Sequence, residues 1–499
     1  MMSTTVEPTP AILDLNQAIE NFRTTVIPLL DPAQEEHWDG IKLKEKELAI
    51  LQAGLRLVGH CIAILIYRLS LTESVNLAAS VKAGGKAGLN YTRQAFKEVP
   101  VTLIGGVQVR VTTLYKLARN RKKRRGLKRK RGKRGKSQGQ GFYPVFVLLG
   151  ISEGVSPLVR CLVTQAALQA PSFEQAKQIV DWLGLGFSSG RIRRISEAFC
   201  QGGLAVRDEQ LKRLAEGTLP AGESLKGKRV VISADGGRVK IRRTYRRGRK
   251  RKSGWPGYDT NWREPKLLTI YVLDEEGHKV TSTDIPLVAD GTLMGKDEFL
   301  EILHLYLHKL GIAQAEIIVL VGDGAPWIWN HIPPLLHELG CRPEQIVQVL
   351  DYPHAVEHLY QLGEALFGDT AKGKAWAKKW AKKLKRGQAQ ALVTQIRSYL
   401  VDKVGQDLDT VQTQYGYFQK HQANGRLDYA RFKAQELPIG SGVVESLIRQ
   451  VVNLRLKSSG KNWLKENAEA FIHARCQWAT HQWSGFCNDV LTLGLAPFT

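Results

Sequence analysis

IIVLVGDGAPWIW, residues 317–329, is the stretch on which the fold turns. Its first five residues are apolar and mostly β-branched, the composition of a buried strand. The run stops at a lone carboxylate, Asp323, set between Gly322 and Gly324. An Asp-Gly step after a strand is ordinary turn chemistry. It also suits a metal ligand at a sheet edge, provided other ligands arrive from elsewhere in the chain.

A second copy of the pattern lies upstream. KRVVISADGG (228–237) reads as a buried strand ending in Asp235, again followed by glycine. RVKIRRTY (238–245) reads as a second strand and KLLTIYVLD (266–274) as a third, with a turn and short strand in EEGHKVTST (275–283). KDEFLEILHLYLHKLG (296–311) has the periodicity of an amphipathic helix. After Asp323, APWIWNHIPPLLHELG (325–340) predicts a helix that starts near Pro326 and is broken at Pro333-Pro334. QIVQVLD (345–351) is a fifth strand, and residues 354–436 are helical throughout. Strands followed by alternating helices and strands predict an α/β layer arrangement. Two neighbouring parallel strands would place Asp235 and Asp323 at one sheet edge, with glycines keeping the backbone open to a bulky ligand.

The third acid is Glu445, in LPIGSGVVESLIRQVVNLRLKSSGKNW (437–463). Val444, Leu447, Ile448, Val451 and Val452 form one apolar stripe of a helix. Glu445 heads a polar ridge continued at four-residue steps by Arg449, Asn453 and Lys457. An i, i+4 ion pair with Arg449 is the plain explanation of the acid. The ridge would equally suit a phosphodiester lying across the helix. Three converging carboxylates can hold two Mg²⁺ ions, with Mn²⁺ as a substitute, because hard cations take oxygen ligands.

The net charge of +25 is concentrated. RNRKKRRGLKRKRGKRGK (119–136) holds 13 basic residues and RVKIRRTYRRGRKRK (238–252) holds 10, with no acid in either. Double-stranded DNA is the polyanion that such runs fit. The second run offers Arg238, Lys240, Arg242, Arg243, Arg246 and Arg247 close to the first aspartate. SFEQAKQIVDWLGLGFSSGRIRRISEAF (172–199) suggests helix, turn, helix. Ser172 and Gln175 form a capping box, Gly184 and Gly186 break the first helix, and Ser188 or Ser189 caps the second. Arg191, Arg193 and Arg194 would then face DNA as a recognition helix does. Farther upstream, residues 1–30 look loosely ordered, 36–70 reads as a long helix, and VTLIGGVQVRVTTLY (101–115) as a hairpin. The strongest apolar run, LVGHCIAILIY (57–67), is too short to span a bilayer. With no signal peptide and no CxxC pair, a cytoplasmic, nucleoid-associated protein with free thiols is expected, without a membrane partner.

Taken together, ISADGG around Asp235, VGDGAPWIW around Asp323 and GSGVVES around Glu445 resemble the DDE triad of bacterial insertion-sequence transposases, most nearly the ISKra group. The resemblance covers 142–483 and includes GISEGVSPL (150–158), LDYPHAVEHL (350–359) and RLKSSGKNW (455–463). It implies an α/β RNase H-like catalytic core with an all-helical insertion, behind a mainly helical DNA-binding region. The implied layout is 1–118 helical and hairpin, 119–141 basic linker, and 142–226 DNA-binding. Residues 227–354 would be the first part of the core, 355–436 the insertion and 437–499 the closing helices. It implies Asp235, Asp323 and Glu445 as Mg²⁺ ligands and catalytic residues, with Asp351, His354 and Arg449 in support. It also implies contacts to terminal-repeat and target DNA and at least a dimer. A cysteine-containing knuckle, expected before GFYP (141–144), is replaced here by the basic run.

Two other functions fit parts of the chain. A transposase-derived DNA-binding protein with a decayed site is one, although all three acids are present. A zinc peptidase is the other, since His354, Glu357 and His358 spell H-x-x-E-H. That motif accounts for neither the basic runs nor the Asp-Gly strand ends. Trp327, Trp329 and Trp463 could stack on bases, but core packing is the commoner role of such residues.

Overall fold

The computed structural model describes residues 14–35, 37–84, 91–118, 140–243, 259–280, 287–457 and 460–493. The basic run 119–136 lies outside these, as do Arg246 and Arg247. The chain divides into two compact units, residues 1–206 with 484–499, and residues 207–483.

The first unit begins with α1 (Leu15–Val26), α2 (Gly40–Leu71) and α3 (Glu73–Gly84). Asp14 caps α1 by accepting from the Asn16 and Gln17 amides, so the expected loose segment is helical from Leu15. At 32 residues, α2 extends well beyond the 57–67 run and is long and apolar enough to cross a membrane by length and composition. β1 (Tyr91–Thr102) and β2 (Gln108–Ala118) form the hairpin about Gly105-Gly106, with β3 (Gln140–Phe142) added to β2. α4 (Pro144–Leu148), α5 (Pro157–Gln169), α6 (Phe173–Asp181) and α7 (Ser189–Ala215) follow. Ser172 accepts from the Gln175 amide at 3.1 Å and Ser188 from the Arg191 amide at 3.2 Å, so both serines cap, the first by this one bond rather than a reciprocal box. Val159, Val163, Val180, Ile192 and Ile195 bury themselves together and hold the two helices of the 172–199 segment.

The second unit is a mixed α/β structure around a five-stranded sheet. Its strands are β4 (Arg229–Gly236), β7 (Lys266–Leu273), β8 (Val288–Thr292), β9 (Ile317–Gly322) and β10 (Ile346–Leu350), in the order β10-β9-β4-β7-β8. β4, β7 and β8 form an antiparallel meander, while β9 and β10 add to β4 in parallel. RVKIRRTY does not join this sheet. β5 (Val239–Arg242) instead pairs with β6 (Thr260–Arg263), because β7 already takes the free edge of β4. The meander's third strand is β8 rather than the EEGHKVTST segment, which makes a turn at Asp274–Gly277 and one bridge to Leu273.

α8 (Lys296–Leu310) precedes β9, and α9 (Pro326–Glu338) follows it. α9 runs straight through Pro333 and Pro334, against expectation. Ile332, Leu335 and Leu336 on either side of the prolines are buried in the core, and that burial outweighs the lost amide donors. The segment after β10 is all helical: α10 (Tyr352–Phe367), α11 (Ala371–Lys385), α12 (Ala389–Val401), α13 (Leu408–Ala423) and α14 (Tyr429–Ala434). Leu359, Trp380, Ile396, Phe418 and Phe432 share one continuous core with the sheet. α15 (Gly442–Ile448) passes into a π-helical turn, Arg449–Asn453, and α16 (Lys465–Ala479) closes the unit. Buried Arg475 of α16 donates to the Val451 carbonyl at 2.9 Å and to the Gln450 carbonyl, which stabilises the wide turn.

Candidate active site

Three aspartates end three adjacent parallel strands. Pairing runs from Arg229 with Ile317 to Ser233 with Val321, and the same offset carried two residues on sets Asp235 beside Asp323. Pairing of β9 with β10 ends at Gly322 with Leu350, which sets Asp351 beside Asp323 one residue later. Asp235 and Asp323 fall where their largely apolar strands leave the core and are half-buried, whereas Asp351 stays inside it. Asp235 and Asp323 line a cleft of about 390 Å³ with Arg238, Glu264, Asn453 and Lys457.

Glu445 reaches this edge from α15. Asp351, His354 and Glu445 each offer a ligand atom within 4.8 Å of the others. Asp351 builds that meeting point and is fully buried. One of its oxygens accepts from the Ser441 amide at 2.7 Å, which seats the start of α15. The other accepts from the His354 amide at 3.1 Å and binds His354 Nδ1 at 2.5 Å. Ser441 Oγ donates to Glu445 at 2.8 Å. Glu445 therefore takes its partner one turn back rather than from Arg449. Arg449 is exposed and outside the cleft lining, whereas Asn453 and Lys457 line it. The π turn between them interrupts the four-residue ridge expected from a regular helix.

The electrostatics follow from this crowding. Burial pushes the Asp235 carboxyl up to about 6; the Gly236 amide opposes this, and the Asp323 charge adds to it. The bond from Asp351 raises His354 to about 9, so its imidazole is a cation at neutral pH. Oxygen-rich donors beside it suit a hard divalent ion. Asp235, Asp323 and Glu445 have the donor chemistry for it. Asp351 already has both oxygens engaged, and His354 is charged.

Asp235 ionises at a cost to the metal-free fold. A raised carboxyl contributes stability below its unfolded value of 3.8 and loses it as pH rises through about 6. Asp235→Asn should therefore stabilise the metal-free protein by about 1 kcal/mol at pH 8 and not below pH 4. Thermal melts of both proteins across that range test this, and identical pH profiles would refute it.

The glycines serve the protein rather than a ligand. A Cβ on Gly236 would fall 2.6 Å from Glu264, and one on Gly237 would fall 3.2 Å from Val452. Gly324, at φ +92°, lies against Tyr417 and His421 of α13, so the helical segment packs directly behind Asp323. The Tyr417 hydroxyl is sealed there without a hydrogen-bond partner among the described residues. Tyr417→Phe removes an unsatisfied donor, and the melting temperature should stay level or rise. A fall of several degrees would show that the hydroxyl is bonded.

Other expected site residues divide. Arg191 is turned inward: its guanidinium lies 4.1 Å over Phe187 and bonds Thr102 Oγ1 at 3.1 Å. Arg193 and Arg194 are exposed on the same helix. Arg238 lines the cleft, while Lys240 and Arg242 sit on β5, which is bridged to Trp463. Arg243 is exposed. Trp329 and Trp463 are buried and belong to the core, whereas Trp327 lines the cleft. His358 bonds Gln414 at 2.8 Å and stacks on Tyr417, so it is absent from the one metal-ligand cluster among the described residues. The H-x-x-E-H motif thus does not converge on a zinc site. Glu264 sits in no pattern that signals chemistry, and Ser441, although inside GSGVVES, gives no sign in the sequence that it bonds Glu445.

No family model and no curated protein matches the chain. Among solved structures it is similar to the Drosophila P element transposase strand transfer complex, at 12% identity and a TM-score of 0.22. That alignment covers 65% of this chain and 79% of the other. A superposition score this low decides nothing about fold or function.

Proposed function

We propose that the chain is a DDE transposase of the ISKra kind with an RNase H-like core. The observation that carries the proposal is the register that sets Asp235, Asp323 and Asp351 side by side on adjacent parallel strands, with Glu445 brought within 4.8 Å of Asp351 and His354. The antiparallel meander extended by two parallel strands supports the RNase H-like assignment. Asp235, Asp323 and Glu445 would hold Mg²⁺, or Mn²⁺ in its place. Bound there, such ions supply Lewis acidity to the attacking and leaving oxygens of phosphoryl transfer.

The chain's own groups do the rest. Lys457, Asn453 and Arg238 would grip the phosphodiester in the cleft, and His354 adds a fixed positive charge beside it. Hydrolysis would free a 3′-hydroxyl at the element end, and that hydroxyl would then attack target DNA. Arg193, Arg194 and the basic runs would bind double-stranded DNA mainly through phosphates. Two ends held together call for two copies of the chain.

The test is strand breakage of labelled duplexes taken from either side of the gene, with Mg²⁺ or with chelator. Metal-dependent cleavage supports the proposal. Binding that falls steeply between about 50 and 200 mM salt, without cleavage, would favour a DNA-binding protein that has lost catalysis.

A further inference from the structure

Among the described residues, the longest helix of the first unit packs against α1, α3 and the hairpin and keeps one stripe exposed. On the packed side Ala53, Ala63 and Ile64 are buried, and Gly59 fits so closely that a Cβ would fall 2.3 Å from the Ile104 carbonyl oxygen. The adjoining side carries Leu48, Leu51, Leu55, Val58, Ile62 and Leu65, spaced alternately three and four residues apart, with Leu55 half-buried and Ile62 at the margin of the hairpin core. Leu48, Leu51, Val58 and Leu65 remain 38, 48, 49 and 56% exposed. An apolar stripe of this size in water calls for a partner. A three-four repeat is the pattern that meshes with a second helix of the same kind, knobs into holes.

We propose that α2 is a self-association surface, and that two copies of the chain pair through it antiparallel. In that register Leu48 faces Leu65 of the second copy, Leu51 faces Ile62, and Leu55 faces Val58, so every layer is apolar. The charges flanking the stripe fix the direction. Glu47 comes opposite the second copy's Arg68, and symmetry makes that pair twice. Both residues are exposed, and neither takes part in an ion pair among the described residues of its own chain. A parallel pairing would set Glu47 beside Gln52 and leave Arg68 without an acid on the facing helix. Gly54 comes opposite Cys61 of the second copy, and the space over Gly54 is open. A bilayer is the competing occupant of an apolar helix of this length. However, only a stripe of α2 is exposed among the described residues, and Arg56 is exposed near its middle. The pairing rests on α2 alone and is independent of whether the chain cleaves DNA.

The experiment uses the full chain. Sedimentation should show a dimer for the parent at micromolar concentration. Val58→Glu should weaken it at least about 30-fold with an unchanged circular dichroism spectrum and melting temperature. Glu47→Arg should weaken it as well, and Glu47→Arg with Arg68→Glu should restore it. Gly54→Cys should form an intermolecular disulfide with the native Cys61 under mild oxidant, which the parent and Gly54→Cys with Cys61→Ser do not form. A monomeric parent would overturn the proposal, as would a dimer indifferent to Val58→Glu. So would a parent that cosediments with phosphatidylcholine vesicles while staying monomeric in solution.

Discussion

Asp323→Asn should reduce Mg²⁺-dependent strand cleavage by about 10³-fold or more while changing DNA affinity less than about twofold. Two roles of the residue separate here. As a turn residue, Asp323 accepts a hydrogen bond from the Ala325 amide at 2.9 Å, and the asparagine oxygen can accept the same bond. A purely structural Asp323 would therefore tolerate the change. As a metal ligand it supplies a negative charge that asparagine lacks, at the register where Asp235 already stands beside it. Phosphoryl transfer depends almost wholly on positioning and electrostatics, so loss of that charge falls on the rate. Counting breaks in end-labelled duplex, with a binding titration on the same samples, decides the matter. Cleavage within twofold of the parent would reduce Asp323 to a turn residue and remove the main support for the proposed function.

Asp290→Ala should cost the second unit about 3–5 kcal/mol. Asp290 is fully buried on β8 and faces several donors at once. Arg207 lies 3.3 Å from it, His473 Nδ1 3.0 Å, and the Tyr306 hydroxyl donates to it at 3.0 Å. Arg207 also pairs with buried Glu469 at 2.8 Å, so the cluster joins α7, β8, α8 and α16. Truncating Asp290 leaves the Arg207 cation short of a partner in a dry site, where an uncompensated charge is most costly. Burial alone would raise the Asp290 carboxyl, but His473 and Arg207 outweigh it and hold it well below the usual carboxylate range. A depressed carboxyl stabilises above its unfolded value and loses that contribution as pH falls toward its folded value. The parent's advantage should thus be level from about pH 5 to 8 and shrink below about pH 4. Urea unfolding of the sheet transition at several pH values measures it. A loss under about 1 kcal/mol would mean that the cluster contributes little.

Much of the site could be read along the chain. Apolar runs that stop at Asp235 and Asp323 announce strand ends, because burial dictates composition residue by residue. The helix that carries Glu445 announces itself by its stripe of valine and leucine. Asp351 and His354 sit close enough in sequence for their contact to be local. What could not be read depends on which segment wins a contested place. RVKIRRTY is a good strand, but β7 outcompetes it for the edge of β4. Pro333 and Pro334 are helix breakers locally, yet the core around Ile332 and Leu336 holds α9 through them. Arg191 looks like a surface arginine until the hairpin brings Thr102 to it. The π turn after α15 depends on Arg475, some twenty-five residues away. The three-four repeat on α2 was visible in the letters, but not which side of the helix the hairpin would cover.

An α/β core with carboxylates at its strand ends, and the concentrated positive charge, follow from local composition alone. Long-range pairing sets Asp235, Asp323 and Asp351 at one register, and folding across more than ninety residues brings Glu445 to Asp351. The same packing leaves an apolar stripe of α2 exposed among the described residues. Register and coverage are settled by long-range packing, which no local window contains.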